Sequence, residues 1–402
     1  MKLLKDREKA KQLRNIGYNY FGPILVDFCR WLHSERKIIE YNNILLFVAR
    51  DGHLLKRIYN TLYPEESCEY FLASRISRHF SELTSIEKVA AELRSSASDY
   101  SYRNALKIWY DLKLPLFFNL QHPKEKEGHA RHHLSFYDFA IQHSDLIFEK
   151  ALIHRKKYLE YTQRIIGSKH PIIVDIGYKA STQAFLSDLL EHDVSGLYMV
   201  THKEAMRVCK DSGLIRSYDG LFVSAKDQKS VVNNYRFVFE AILTAPSGAF
   251  VAFDQLGQPL FERDVRSQIT RQIISNIHSG ILDFANDATC SKRKIEQIEN
   301  SKCKVKCLLS SPTKTQAQLF EGLEFCDSFK TTEQLYIVSP QSKRFDSFSL
   351  WAEGQLRADD INLWDPWRAF GSVCVPIAKP FLPKGQYLRL KTNCRKFIFD
   401  KL

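Results

Sequence analysis

Arg50 and Asp51 stand side by side where the apolar run "NNILLFVAR" stops and the helical pattern "HLLKRIY" begins, with Gly52 between them. Gly alone could turn the chain there, so a cation beside a carboxylate at the junction raises the question of chemistry. Taken alone, the pair reads as a helix-capping Asp next to a solvated Arg. Other apolar runs, however, also end on polar residues: Ser74-Arg75 in "YFLASR", Asp175 before Gly177 in "IIVDIGYKASTQ", and Thr201-His202-Lys203 after "GLYMV". Arg50 and Arg75 are planar donors suited to phosphate, and helix starts add backbone amides. Lys179, Ser181 and Gln183 fall on the turn and first helical residues after Asp175, within reach of the same ligand, and Ser181 or Thr182 is placed to cap that helix. Asp51 cannot help to bind a phosphate; its roles would be base, acceptor from a ribose hydroxyl, or magnesium ligand. Asp175 follows a buried run directly, which is costly unless turn amides or a ligand engage it. Glu240 in "NNYRFVFEAILTAPSG" lies one helical turn from Arg236, a spacing that favours an ion pair, and "APSG" ends that helix as a candidate ligand-facing loop.

The elements that must position these residues can be read from periodicity. Residues 1–16 pattern as a charged helix, and "YFGPILVDFCRWLHSERKII" as an amphipathic one that covers a sheet. "NNILLFVAR", "CEYFLASR", "HPIIVD", "VSGLYMVTHK" and "DGLFVSAK" are strand candidates, several apolar throughout as in parallel strands buried on both faces. Alternation of strand, turn and helix predicts an α/β fold: a Rossmann-like open, mostly parallel sheet with an inserted helical subdomain over about 78–168. Ligands of such sheets bind beyond the carboxyl ends of the strands, where the polar residues above fall. The expected organisation is an α/β catalytic domain over 1–262, then a C-terminal helical extension with a basic aromatic tail over 263–402. "DVRSQITRQIISNIHSGILDFA" and "QAQLFEGLEFC" are the helices expected in that extension.

The 402 residues carry 58 Lys+Arg against 46 Asp+Glu, a net charge of +12 that suits anionic partners without choosing among them. Nine scattered cysteines form no C-x-x-C pair, which points to a reduced, cytosolic compartment rather than zinc or disulfides. The basic N-terminus lacks a signal-peptide core, and no uncharged run is long enough to span a bilayer, so any membrane contact is peripheral. His129, His132 and His133 sit in the charged loop "LQHPKEKEGHARHH" without flanking carboxylates or cysteines, a pattern of solvated surface and not of a metal site. The tail "AKPFLPKGQYLRLKTNCRKFIFDKL" interleaves cations with aromatics and reads first as a folded strand pair, second as an anionic-membrane contact. No G-x-G-x-x-G, P-loop or G-x-S-x-G pattern occurs, which argues against a dinucleotide cofactor, a P-loop enzyme and an α/β-hydrolase.

In order and spacing, "YNYFGPILVDFCRWL", "LLFVARDGHLLKRIY", "YFLASR", "VDIGYKASTQAFL" and "FEAILTAPSG" resemble the glycan phosphoribosyltransferase domains of bacterial capsule and O-antigen clusters, often fused to a haloacid dehalogenase-type phosphatase. The resemblance covers roughly residues 15–262. It implies transfer of ribofuranose 5-phosphate from phosphoribosyl pyrophosphate to a glycan acceptor, lipid-linked in some pathways, followed by removal of the 5-phosphate. By position, Arg50, Asp51, Ser74, Arg75, Asp175, Gln183 and Glu240 are the matching polar residues. Where the family pattern has Trp and a second Gly, the chain has Tyr178 and Ala180; the phosphatase half does not accompany the match, so either a separate phosphatase completes the reaction or the phosphate stays on. Magnesium can accompany a pyrophosphate donor; nucleic acid is not an expected partner. Catalysis is expected of Asp51 or Asp175, at the inner face of the membrane or in the cytoplasm. Two other functions remain open on the residues: a sugar-nucleotide glycosyltransferase using the same basic cleft, and a non-catalytic basic module that docks a capsule assembly complex.

Overall fold

The computed structural model describes residues 2–39, 42–90, 141, 144–290, 295–325, 335–340, 342 and 348–360. The histidine loop, the basic tail from 379 onward and most of the expected helical insertion lie outside these residues. The described part of that insertion includes the helices Arg75–Glu82 at its start and Ser144–Ile166 at its end.

Five parallel strands form the central sheet: β1 (Asn43–Val48), β2 (Cys68–Phe71), β3 (His170–Asp175), β4 (Ser195–Tyr198) and β5 (Ile215–Ser217), in the order β2-β1-β3-β4-β5. The chain leaves β1 for the edge at β2 and then returns to the other side of β1 as β3. Adjacent strands thus send their following turns in opposite directions, and a crevice opens beyond the tips of β1 and β3. The strand expected over "DGLFVSAK" is a correction: β5 forms just before it, and of the expected run only Val223 makes an isolated bridge, to His202. Bends at residues 218–219 and 221–222, with Phe222 in the left-handed region at φ 54, break up the expected run.

All six residues of β1 are buried, because both faces of the sheet are covered. Leu45 and Phe47 point into one core, with α1 (Lys2–Ile16), α2 (Gly22–Ile39) and α3 (Gly52–Leu62); Ile44, Leu46 and Val48 point into the other, with the Ser144–Ile166 helix. This period-two division explains why the run reads as uniformly apolar. The helix Gln268–Cys290 packs on α1, α2 and α3, and sends Ile273, Ile277, Ile281 and Phe284 into the first core. Val305, Leu308 and Trp351 join the same core. The boundary expected at residue 262 therefore does not separate two cores. The helix expected over "QAQLFEGLEFC" ends early, at Leu319, and Glu324–Phe325 forms a short strand after Gly322 takes φ 83. Among the described residues no helix is long and apolar enough to cross a membrane.

A chain ending at residue 262 is expected to lose cooperative folding, since it exposes the core face that the Gln268–Cys290 helix covers. Thermal melting followed by circular dichroism checks this; a sharp, reversible transition in the truncated chain would show that residues 1–262 stand alone.

Candidate functional site

A cavity of about 520 Å³ opens at the crevice beyond β1 and β3, a size that suits one small ligand. The β1–α3 turn brings Arg50 and Asp51 to it, the end of β2 brings Ser74, Arg75 and Arg78, and the β3 turn brings Asp175, Gly177, Tyr178, Lys179, Ser181 and Thr182. Glu240 and Thr244 enter from the helix Arg236–Leu243 and its end.

Arg50 holds φ 69, in the left-handed region where a side chain costs about 1 kcal/mol and glycine little. The strained position aims its guanidinium across the crevice, where Nη2 donates to Thr244 Oγ1 at 3.3 Å, while its backbone amide donates to Tyr70 Oη at 3.3 Å. Asp51 occupies the N-cap position of α3, yet its carboxylate makes no capping hydrogen bond. The capping explanation therefore fails for it, and the carboxylate lines the cavity. Gly52 is required by contact: a Cβ there would lie 2.6 Å from the backbone carbon of Phe47. The helix can start that close to β1 only without a side chain, and this sets Asp51 over the strand tip.

At β2 the hydroxyl of Ser74 is spent locally, accepting from the Ser77 amide at 3.0 Å in a capping box that starts the Arg75–Glu82 helix. Arg75 is the first residue of that helix and exposed, and Arg78 follows one turn later, so both present cations at the same rim.

Asp175 Oδ1 accepts from the Ile176 amide at 2.8 Å, so the turn engages part of this carboxylate. Gly177 is again a contact position, since a Cβ would meet the Val200 carbonyl oxygen at 2.2 Å. Ala180 takes φ 56, the left-handed backbone that the glycine of the resembled pattern would reach more cheaply. It is also the N-cap of the next helix, Ser181–Leu190, and supplies no side-chain cap; the capping expected of Ser181 or Thr182 does not form, and both residues line the cavity. Lys179 is exposed at the rim.

Gln183 is not among the residues that line the cavity. It is fully buried, its Nε2 donates to the carbonyls of Val194 (2.7 Å) and Leu214 (3.2 Å), and its Oε1 accepts from Tyr198 Oη at 3.0 Å. One turn into the helix, residue 183 faces the sheet, and its amide joins loops instead of holding phosphate.

Glu240 Oε1 accepts from Tyr178 Oη at 2.8 Å, and the Tyr178 ring stacks on His202 with centroids 4.8 Å apart. His202 is fixed in turn by Asn233, 2.8 Å from its Nε2. Sequence reasoning missed several lining residues. Arg78 was discoverable, three residues from Arg75 on one helix face. Phe250, Arg266, Glu324 and Phe325 carried no signal, because they come from segments far along the chain. Arg266, nearly buried, pairs with Asp264 and donates to the carbonyls of Ala245 (2.8 Å) and Ser247 (3.3 Å), which braces the "APSG" loop.

Three carboxyl groups, each partly buried, thus line one hollow. Burial pushes the Asp51 carboxyl well above its usual range; Glu240 and Asp175 push the same way, against Arg50 and Arg75. Burial also raises Asp175, to about 7, opposed by the Ile176 amide and assisted by Glu240. Among the described residues no group of three His, Cys, Asp or Glu side chains is placed to hold a metal ion. What the arrangement can do is bind an anion at the Arg/Lys rim while presenting proton acceptors at the floor.

The folded Asp175 carboxyl titrates near 7 and an unfolded one near 4, so folding binds its proton more tightly. The group then destabilises the fold fully above pH 7, and the penalty vanishes as pH falls toward 4. Asp175→Asn is expected to stabilise the protein by about 1–3 kcal/mol at pH 8 and to make little difference at pH 4. Urea unfolding at the two pH values checks it; an equal effect at both would remove the titration from the explanation. No family model matches the chain, and a search of curated proteins finds no match to it.

Proposed function

We propose that the chain is a glycosyltransferase that moves ribofuranose 5-phosphate from phosphoribosyl pyrophosphate to a hydroxyl of a glycan in bacterial surface polysaccharide synthesis. The observation that carries this reading is the cavity itself: Arg50, Arg75, Arg78 and Lys179 around carboxylates at the β1/β3 switch point, in the arrangement that a doubly phosphorylated, hydroxyl-rich ligand needs. The resemblance of residues 15–262 to glycan phosphoribosyltransferases adds the substrate class.

In the proposed step the bond from ribose C1 to pyrophosphate breaks, and the electron pair leaves with pyrophosphate. Charge grows on the leaving oxygens, where fixed guanidinium and ammonium groups lower the barrier. The acceptor oxygen bonds to C1, and its proton passes to a carboxylate. Asp51 suits that role: it is spent on no helix cap, and burial makes it a stronger base than a solvated carboxylate. Asp175, steadied by the Ile176 amide, suits a ribose hydroxyl. Magnesium would travel with the pyrophosphate. The product keeps its 5-phosphate, so a separate phosphatase completes the sequence.

Calorimetry with phosphoribosyl pyrophosphate is the direct test, with a nucleotide sugar as the rival donor. Arg50→Gln and Arg75→Gln are each expected to weaken donor binding about tenfold or more. Asp51→Asn should keep donor binding and lower transfer by about 100-fold or more. Absence of donor binding, or full turnover by Asp51→Asn, would overturn the assignment.

A further inference from the structure

The cations of the cavity come from the strand-tip turns, from the Arg75–Glu82 helix and from Arg266, which its buried bonds to Asp264 and two carbonyls occupy. The part contributed by the Arg236–Leu243 helix and its end, together with the Glu324–Phe325 strand, is different. Its lining residues are Glu240, Ala241, Thr244, Glu324 and Phe325, and the Arg50 guanidinium reaches it at Thr244. Beyond Arg50, a phosphate would face two carboxylates and the Phe325 ring, a setting that favours an uncharged occupant.

Phe325 is half-buried and its ring edge meets Phe237 with centroids 5.3 Å apart, which fixes the ring while it still lines the cavity. Glu240 is fixed by the hydroxyl of Tyr178. Glu324 is held by its Oε2, which accepts from the Ser267 amide at 2.7 Å and from Thr270 Oγ1 at 3.2 Å. A rigid aromatic ring beside an oriented carboxylate offers an apolar surface for the C–H face of a sugar and acceptors for its hydroxyls.

We propose that this side of the cavity is the acceptor subsite, that its occupant is an uncharged pyranose ring packed on Phe325 with hydroxyls donating to Glu240, and that the C-terminal segment thereby sets acceptor choice. The proposal rests on the phosphoribosyltransferase reading. It assigns to residues beyond 262 a part in the site that the resemblance, which stops there, does not supply.

The experiment uses the full chain with magnesium and phosphoribosyl pyrophosphate. Donor affinity is measured by calorimetry, and transfer is measured by product mass with p-nitrophenyl glycosides of galactose, glucose, mannose and N-acetylglucosamine, with the glucuronide and with glucose 1-phosphate. The wild type is expected to label neutral glycosides in preference to the two anionic ones. Phe325→Ala and Phe325→Leu are expected to raise the acceptor KM about tenfold or more while the donor Kd stays within about twofold, and Phe325→Tyr, which keeps the planar face, to recover most of the loss. Phe325→Leu preserves apolar packing against Phe237, and its melting temperature separates a lost contact from a lost fold. Failure of the wild type to bind the donor overturns the phosphoribosyl reading itself. Bound donor with no neutral glycoside labelled, equal use of the anionic glycosides, or an unchanged KM in Phe325→Ala and Phe325→Leu overturns the subsite alone.

Discussion

Like charges in a desolvated hollow repel, and the architecture around the β1/β3 crevice exists under that constraint. Asp51, Asp175 and Glu240 come from three elements; Glu240 raises the proton affinity of both aspartates, and Asp175 that of Asp51. Three apolar side chains there would stabilise the fold more than three carboxyls do. The carboxyls persist because the surrounding structure overdetermines their positions. Gly52 seats α3 against Phe47, the Ile176 amide holds Asp175, and Tyr178 holds Glu240. A ligand that brings hydroxyl donors to the floor and negative charge to the Arg/Lys rim relieves both halves of this electrostatic mismatch.

The rim is built under a matching constraint. Arg50 accepts a left-handed backbone at a place where glycine would be easier, and its guanidinium reaches Thr244 at the end of a helix nearly 200 residues later. That contact ties the tip of β1 to the loop that Arg266 braces from the other side. The rim cations and the helix that carries Glu240 are therefore fixed relative to each other by polar contacts as well as by the core. A shift of either element would move a charge as well as a surface.

Much of this was legible in the sequence, for identifiable reasons. β1 and β3 declare themselves because burial on both faces leaves an unbroken apolar run, and a polar residue directly after such a run must sit at the strand tip. Parallel pairing then gathers Arg50, Asp51, Arg75 and Asp175 into one crevice without any further information. Gln183 shows where the inference fails. Position along a helix places a residue near a turn, but the rotation of the helix about its axis decides whether the side chain meets ligand or sheet, and Tyr198 claims this one. Ser74 shows a second failure, since a hydroxyl at a strand end serves equally as ligand donor and helix cap, and here it caps. The C-terminal contribution was illegible, because a helical period states that a face is buried without stating against what. Ile277 and Phe284 bury that face against α1, α2 and α3.

That last contact has a consequence for how the site is put together. The Gln268–Cys290 helix is anchored in the first core, and Glu324 accepts from Ser267 just before that helix begins. The short strand bearing Phe325 thus inherits its position from the core by way of one buried carboxylate and Thr270. The sheet tips place the rim cations by parallel pairing, and the later segment places an aromatic wall by helix packing. Two independent folding constraints therefore converge on one cavity. A change in the aromatic wall can alter what packs there and leave the cations where β1, β2 and β3 set them, so the two halves of the cavity are physically separable within a single fold.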